Sequence, residues 1–212
     1  MLRVQALLLA SLLCAAEPLV GEAGLAELAA ARAAVRVVAG EGLRTVERLG
    51  DPDGPSKPKR DRFAVALDGR YDVVETDPED PNGLRTRFVS DGRSTWETIV
   101  VEVGEKGETK RRPAANDFLA RMLSCLRLDL VQLRRDYTVE LVAVGAEREL
   151  RLTPSDTALA REIVSIVLTI DTAGRPVRLM LIDTSDNRHR LVISAFQDDP
   201  KLDPAWFATP GP

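Results

Sequence analysis

Residues 63–92 read FAVALDGRYDVVETDPEDPNGLRTRFVSDG, and this stretch decides the fold class. Asp68-Gly69 is a hairpin turn pair, because glycine accepts the positive φ that such turns require. A second turn signal, Asp91-Gly92, closes the stretch. Short strands joined by turns at this spacing predict an antiparallel sheet. The apolar segments that we predict as its strands are 63–67, 71–75 and 84–90.

The pattern changes in the middle of the chain and then returns. Residues 114–128 carry apolar side chains at steps of three and four residues, which predicts an amphipathic helix. Asp129 can cap a second short helix that ends at Arg135. Residues 24–39, rich in Ala, Leu, Glu and Arg, predict an N-terminal helix, and 154–161 predict one or two helical turns. The other predicted strands are 43–49, 94–103, 137–144, 147–153, 162–171, 176–183 and 189–196.

These elements predict a mainly β (α+β) fold with few helices. A sheet of about nine to eleven strands must curl or close, and the helices suffice to cover only one of its faces. We therefore expect a curved antiparallel sheet that forms an incomplete barrel, with helices covering its concave face. Residues 24–212 contain no repeat or composition break and are predicted to form a single domain, whose Pro-rich end, 202–212, lies along the sheet edge.

The first 23 residues, MLRVQALLLASLLCAAEPLVGEA, have the layout of a secretory signal peptide. Arg3 precedes a ten-residue apolar run that is too short to span a bilayer, and small residues follow. We predict cleavage after Ala16 or after Ala23. Cys14 follows Leu13, whereas a lipidated cysteine follows a small residue, so we favour a soluble secreted protein over a lipid-anchored one. Cys125 is then the only cysteine of the mature chain, and we predict that it is a buried small hydrophobe.

The composition excludes several classes of function. Among 212 residues there are one His and two Cys, too few for a multi-histidine or cysteine-rich zinc site or for a disulfide scaffold. The aromatic content of 4% disfavours a stacking platform for single-stranded nucleic acid. The net charge of −4 disfavours a phosphate-backbone binder, so we expect no nucleic-acid partner.

Catalytic motifs are not found in the sequence. There is no nucleophile elbow, no Cys/His pairing and no phosphate-binding loop, and His189 lies among charged residues where an exposed surface role is expected. Asp77, Glu79 and Asp80 lie in a Pro-flanked turn, where carboxylates are usually solvated. We predict a protein that is not an enzyme and uses no cofactor or metal. A hydrolase built from carboxylates on distant strands is the least favoured alternative.

Several short motifs follow one another between residues 62 and 212. They are Val89-Ser90-Asp91-Gly92 followed by Trp96; Tyr71-Asp72-Val73 before Asp77-Pro78; Arg151-Leu152-Thr153-Pro154; Ile170-Asp171 with Gly174 and Leu179-Met180-Leu181-Ile182-Asp183; and Leu202-Asp203-Pro204-Ala205-Trp206-Phe207 with Pro210. Their order and spacing make this part of the chain resemble the LolA/LolB-type periplasmic outer-membrane lipoprotein carriers. The chain departs from that family in lacking an F-x-Q motif in 43–49, and in having Val73 where the family often has Trp. Arg70 is out of register with the arginine that precedes the family's short aromatic strand.

The resemblance implies a half-barrel whose apolar cleft shields the acyl chains of a lipoprotein, or of another lipid, under a helical lid. It implies transport through the periplasm from an inner-membrane extractor to an outer-membrane receptor, with transient membrane contact, by a protein that we expect to be monomeric. The alternative is a non-enzymatic envelope module that binds a protein partner and whose half-barrel is filled by its own side chains. The candidate cavity residues are Tyr71, Val73, Trp96, Leu179 and Leu181, and the candidate lid residues are Phe118 and Met122.

Overall fold

The structure is a computed structural model, which describes residues 20–81, 83–100, 108–113, 118–203 and 205–210. Its helices are α1 (Gly21–Arg32), α2 (Phe118–Cys125), α3 (Leu130–Asp136) and α4 (Thr157–Ala160). Its strands are β1 (Val37–Glu47), β2 (Lys59–Ala66), β3 (Tyr71–Thr76), β4 (Arg85–Ser90), β5 (Ser94–Val100), β6 (Thr109–Pro113), β7 (Tyr137–Val144), β8 (Glu147–Pro154), β9 (Ile163–Ile170), β10 (Pro176–Asp183) and β11 (Arg188–Asp198).

All eleven strands form one antiparallel sheet in the order β6-β5-β4-β3-β2-β1-β11-β10-β9-β8-β7. The pairing of β1 with β11 joins the first strand to the last, so that β6 and β7 become the two edges of an unclosed sheet. Since β6 and β7 are consecutive in the chain, the connection that carries α2 and α3 has to cross from one edge to the other. This topology places a helical layer over one face, and the predicted fold class is confirmed.

The sheet bends at irregular pairings, one of which lies between Glu41 and Gly42 of β1. Close to this point, position 40 of β1 requires glycine because neighbouring atoms leave no room for a side chain. A Cβ atom added at Gly40 would lie 2.3 Å from the carbonyl oxygen of Ala195 and 2.8 Å from the ring of Phe63. The glycine therefore allows the Phe63 ring to cross β1 at the middle of the sheet.

We call the helix-covered face of the sheet the concave face; Phe63, Val73, Leu168 and Leu179 lie on it, and all four are fully buried. In an antiparallel pair, residues directly opposite each other share a face, and alternate residues along a strand share it too. Helices α1 and α2 bury their apolar side chains in the same cluster. These helical residues are Leu25, Leu28, Met122, Leu123 and Cys125.

Two sequence predictions of local structure were wrong, and one strand was missed. The N-terminal helix ends at Arg32 rather than at residue 39, because Val37–Ala39 belong to β1, where all three pair with β2 and the last two also pair with β11. Strand β6, with the sequence TKRRP, lacks the apolar alternation that identifies a strand. The C-terminal end does not lie along an edge: Trp206 and Phe207 stack with Arg62 and Arg70, beside the internal strands β2 and β3.

The other predicted helices and strands match elements of the structure, apart from residues that lie outside its description. Asp129 caps α3 as predicted, by accepting a hydrogen bond from the backbone N–H of Gln132. Residues 1–19 of the predicted signal peptide, 101–103 of a predicted strand and 114–117 of a predicted helix lie outside the described residues. Within the described ranges, no helix combines the length and the hydropathy that crossing a bilayer requires.

Candidate ligand-binding face

Tyr71 and Val73 lie on the concave face, side by side on β3. Tyr71 lies opposite Val65 and Ser90, and its hydroxyl is 2.9 Å from the hydroxyl of Thr95 on β5. Val73 lies opposite Phe63 and is fully buried. Asp68-Gly69, the turn between β2 and β3, sets this pairing and therefore fixes which side chains of β3 face the helices.

Leu179 and Leu181 occupy the corresponding positions in the other half of the sheet. They lie opposite Leu168 and Ile166 of β9, and all four side chains are fully buried. Together with Tyr71 and Val73 they belong to one buried cluster that extends over both halves of the sheet. The structure thus brings four of the five candidate cavity residues to one continuous face.

Trp96 is separated from these residues by the strand register. It lies opposite Val89, which in turn lies opposite Asp72, so its side chain is on the convex face. There the guanidinium of Arg111 is 5.5 Å from the centre of the Trp96 ring. The motif places Trp96 close to the cavity residues along the chain, but the alternation of side chains along β5 directs it to the opposite side.

The two candidate lid residues lie on α2. Met122 is fully buried against the concave face, in the same cluster as Leu123 and Leu126. Phe118 is the first residue of α2, and its side chain lies outside the part of the chain that the structure describes. Arg121 of α2 forms an ion pair of 2.8 Å with Glu162, the residue that precedes β9, and this pair links the helix to the sheet.

The sequence analysis missed a cluster of three charged side chains on the concave face. Arg44 of β1 forms ion pairs with Asp61 of β2, at 2.7 Å, and with Glu75 of β3. Asp61 is fully buried, and its second carboxylate oxygen, Oδ1, has no hydrogen-bond partner among the described residues. Burial raises the pKa of Asp61 to about 6, although the positive charge of Arg44 opposes that shift. Asp61 precedes Phe63 by two residues, so strand alternation alone could have placed it on the concave face.

His189 and Asp183 form a second polar pair near the same end of the sheet. The imidazole Nε2 of His189 lies 3.2 Å from a carboxylate oxygen of Asp183, and both side chains are half-buried rather than exposed as predicted for His189. Burial alone would raise the pKa of Asp183. Hydrogen bonds from Asn187, His189 and backbone N–H groups outweigh it, so the pKa lies below its usual value.

A reactive thiol and a metal site are two further possibilities. Cys125 is fully buried, as predicted, and burial raises the pKa of its thiol to about 12, which keeps it protonated. Over the described ranges, no three His, Cys, Asp or Glu side chains are grouped closely enough to hold a metal ion.

No protein-family model and no curated protein matches this chain. Solved structures similar to it include a LolA superfamily protein from Nitrosomonas europaea, with 13% identity over 87% of this chain and 97% of that one and a TM-score of 0.45. A DUF1329 family protein from Desulfovibrio piger has 13% identity over 88% and 96% of the two chains, with a TM-score of 0.47. The lipoprotein LppX from Mycobacterium tuberculosis has 12% identity over 90% and 99%, with a TM-score of 0.42.

The likeness concerns the fold alone. The LolA-type resemblance that the sequence motifs suggest has structural counterparts, but identities of 12 to 13% and TM-scores below 0.5 transfer no ligand or partner to this chain.

Proposed function

We propose that this protein is a periplasmic carrier that binds the acyl chains of lipoproteins, or of another lipid, and shuttles them from the inner to the outer membrane. The observation that carries the proposal is the nature of the concave face: an aliphatic surface on an unclosed sheet, covered by a crossing connection instead of a second sheet. Loading from an inner-membrane extractor and delivery to an outer-membrane receptor complete the proposed cycle. The protein acts as a monomer and without covalent chemistry.

The concave face has the surface chemistry that acyl chains require. Burying each CH₂ group contributes about 0.8 kcal/mol, so a carrier needs a large aliphatic surface and few polar groups on it. Branched aliphatic residues of this kind lie on seven strands, on both sides of β1: β2 and β3 on one side, and β7 to β11 on the other. Its buried members are Val65, Val73, Leu141, Leu150, Leu152, Ile166, Leu168, Leu179, Leu181 and Leu191.

Binding requires α2 to leave the concave face, because Met122, Leu123 and Leu126 cover it in the structure. Helix α2 has only eight residues, and a helix of this length has little stability of its own. Acyl chains that replace the side chains of α2 would exchange one apolar contact for another. The net free-energy cost of moving α2 away is therefore small compared with the free energy that burial of the whole apolar surface contributes. Such an exchange permits both uptake and release.

A second candidate function is an envelope module that binds a protein partner and keeps its half-barrel filled. It is favoured by the complete burial of concave residues such as Phe63, Leu168 and Leu179 beneath the helices. The two candidates differ in one physical property, namely whether α2 moves away to admit a ligand.

Native mass spectrometry of the secreted, processed protein tests the carrier proposal directly. We expect a bound population whose added mass corresponds to acylated molecules and is removed by detergent. We also expect dioleoylglycerol to accelerate labelling of Cys125 by a thiol reagent, because this buried thiol lies on α2. A protein that carries no added mass and whose Cys125 labels at the same rate with and without dioleoylglycerol would contradict the carrier proposal and favour the filled module.

A further inference from the structure

A cleft of about 300 Å³ lies at the end of the sheet where β2 turns into β3, between the end of α1 and the α2–α3 connection. It is separate from the aliphatic concave face described above. Three arginines and one aspartate contribute to its lining: Arg32, Arg36, Arg127 and Asp129. The rest of the lining is apolar and includes Leu67 and Val131. Its volume is at the lower end of the range for small-molecule sites.

Arg32 presents a buried donor without an acceptor. Its side chain is 5% exposed and is held by an ion pair of 2.6 Å between Nη1 and Asp198. Its second terminal nitrogen, Nη2, is buried and has no hydrogen-bond partner among the described residues. A buried N–H of a charged group without a partner is costly, so an acceptor that enters the cleft is stabilised there.

Arg127 is fixed in position by the protein itself. Its Nη1 donates hydrogen bonds of 3.0 and 2.9 Å to the carbonyl oxygens of Ala66 and Leu67, and its Nη2 donates to Asp129 at 3.0 Å. Burial lowers the pKa of Arg127 from its ordinary value, opposed by the charge of Asp129. The guanidinium nevertheless stays protonated at any physiological pH and contributes a positive charge held in one geometry.

Arg36 contributes the third positive charge, and its side chain is exposed at the cleft. Its backbone is engaged, since the amide N–H donates to Asp199 and the carbonyl accepts from Leu67. Within the described ranges, the Arg36 guanidinium forms no hydrogen bond or ion pair. The carboxylate of Asp199 attracts this guanidinium electrostatically, but a ligand can bind it without breaking a hydrogen bond or ion pair within the described residues.

Exposed apolar side chains stand beside these cations. Leu67 is 41% exposed and Val131 is 69% exposed, which is unusual for large aliphatic residues. Both line the cleft, one from the β2–β3 hairpin and the other from α3. Positive charge next to exposed aliphatic surface is the arrangement that suits an anionic amphiphile, whose charged and apolar parts are covalently joined.

We propose that this cleft binds the phosphate group of a lipid, with the guanidinium groups around the phosphate and the acyl portion against Leu67 and Val131. Arginine suits this ligand because its planar N–H fork pairs with two phosphate oxygens at once. Four carboxylates act on the three guanidinium groups, namely Asp68, Asp129, Asp198 and Asp199, so the cleft offers N–H donors held in place and not a net positive charge. The proposal does not depend on cargo in the concave face.

Isothermal titration calorimetry with three matched compounds tests the proposal and separates a lipid phosphate from free phosphate. The compounds are dihexanoyl phosphatidic acid, inorganic phosphate and dihexanoylglycerol. We expect dihexanoyl phosphatidic acid to bind more tightly than either of the others, because only it engages both the arginines and the apolar wall. Its affinity should fall with added salt, since exposed charge interactions are screened.

Two variants locate the binding at the cleft. Arg36→Gln should weaken binding of dihexanoyl phosphatidic acid about fivefold or more, the order expected for a lost charge-assisted hydrogen bond. Val131→Ser should weaken binding of the same lipid while inorganic phosphate is unaffected. Arg190→Gln, which removes an exposed arginine on β11, is the control and should bind as the unaltered protein does.

Three results would overturn the proposal: no binding of dihexanoyl phosphatidic acid, equal affinity for inorganic phosphate, or unchanged affinity in Arg36→Gln. Equal affinity would mean that the apolar wall contributes nothing and the cleft is a site for free phosphate. None of these results bears on whether long-chain cargo copurifies with the protein, so failure here is distinct from failure of the carrier proposal.

Discussion

The guanidinium of Arg44 lies 2.7 Å from the carboxylate of Asp61, on a face of the sheet whose other buried side chains are mostly apolar. The carboxylate is fully buried, and only one of its oxygens has a partner among the described residues. Burial therefore outweighs the attraction to Arg44, and the pKa of Asp61 rises to about 6. An ionisable group in this position makes the stability of the fold depend on pH.

Asp61→Asn should isolate this dependence. Between about pH 4 and pH 6 the folded protein keeps a proton on Asp61 that the unfolded chain has lost, so the contribution of Asp61 to stability falls as pH rises. The asparagine cannot ionise and keeps an oxygen for Arg44. The unfolding free energy of the variant, relative to the unaltered protein, should therefore increase with pH over this range by up to about 3 kcal/mol. Urea unfolding at several pH values measures the difference; a pH-independent difference would contradict the prediction.

Asp199→Asn should change the pH dependence of the unfolding free energy in the opposite direction to Asp61→Asn, and it serves as a matched comparison. Hydrogen bonds from the backbone N–H groups of Val37 and Arg36 hold the pKa of Asp199 below its ordinary value. Its stabilising effect is present above the unfolded pKa, near 4, and is lost as the pH falls further. The variant should lose stability relative to the unaltered protein as pH rises into this range. Asn tolerates the positive φ of residue 199, so backbone strain does not mask the effect.

Side-chain alternation explains which parts of the candidate site could be predicted from the sequence. The Asp68-Gly69 turn sets the pairing of β2 with β3, and the Asp91-Gly92 turn sets that of β4 with β5. Together with the β3–β4 register, they place Tyr71 and Val73 on one face and Trp96 on the other. Counting along these strands from their turns predicts the faces correctly, whereas similarity to a motif does not. The same counting would have placed Asp61 beside Phe63 on the concave face.

Long-range contacts explain what could not be predicted. Val37 and Val38 pair with the next strand, β2, but β1 becomes central to the sheet only because its other edge pairs with β11, far along the chain. The cleft beside Arg32 is likewise assembled from segments about a hundred residues apart. Local sequence patterns carry no information about such contacts.

Gly40→Ala should be strongly destabilising, because the added methyl group would lie 2.3 Å from the backbone oxygen of Ala195. A backbone atom cannot rotate away, so β1 or β11 has to shift, and a loss of about 2 kcal/mol or more is expected. Gly145→Ala is the control: its methyl group meets no atom within 4 Å, and its only cost is the positive φ of 62°. That strain amounts to about 1 to 2 kcal/mol. Thermal unfolding should show the larger decrease for Gly40→Ala; equal decreases would contradict the packing explanation.

Glu162→Gln should loosen the helical lid. Arg121 of α2 pairs with Glu162 at 2.8 Å, and Cys125, one turn further along α2, is fully buried. When opening is rapid and reversible, the labelling rate of a buried thiol is proportional to the population of the open form. Loss of this partly exposed ion pair costs about 1 kcal/mol, so labelling of Cys125 should become about two- to fivefold faster.

The matched control for the lid is Glu149→Gln, which removes a 3.0 Å ion pair with Arg151 on β8, away from α2. This variant should label at the rate of the unaltered protein, because its effect is on the sheet and not on the lid. If both variants accelerate labelling equally, Cys125 is reached by general unfolding, and α2 does not open as a separate unit. If only Glu162→Gln accelerates it, α2 moves independently of the sheet, which is the motion that an acyl-chain carrier requires.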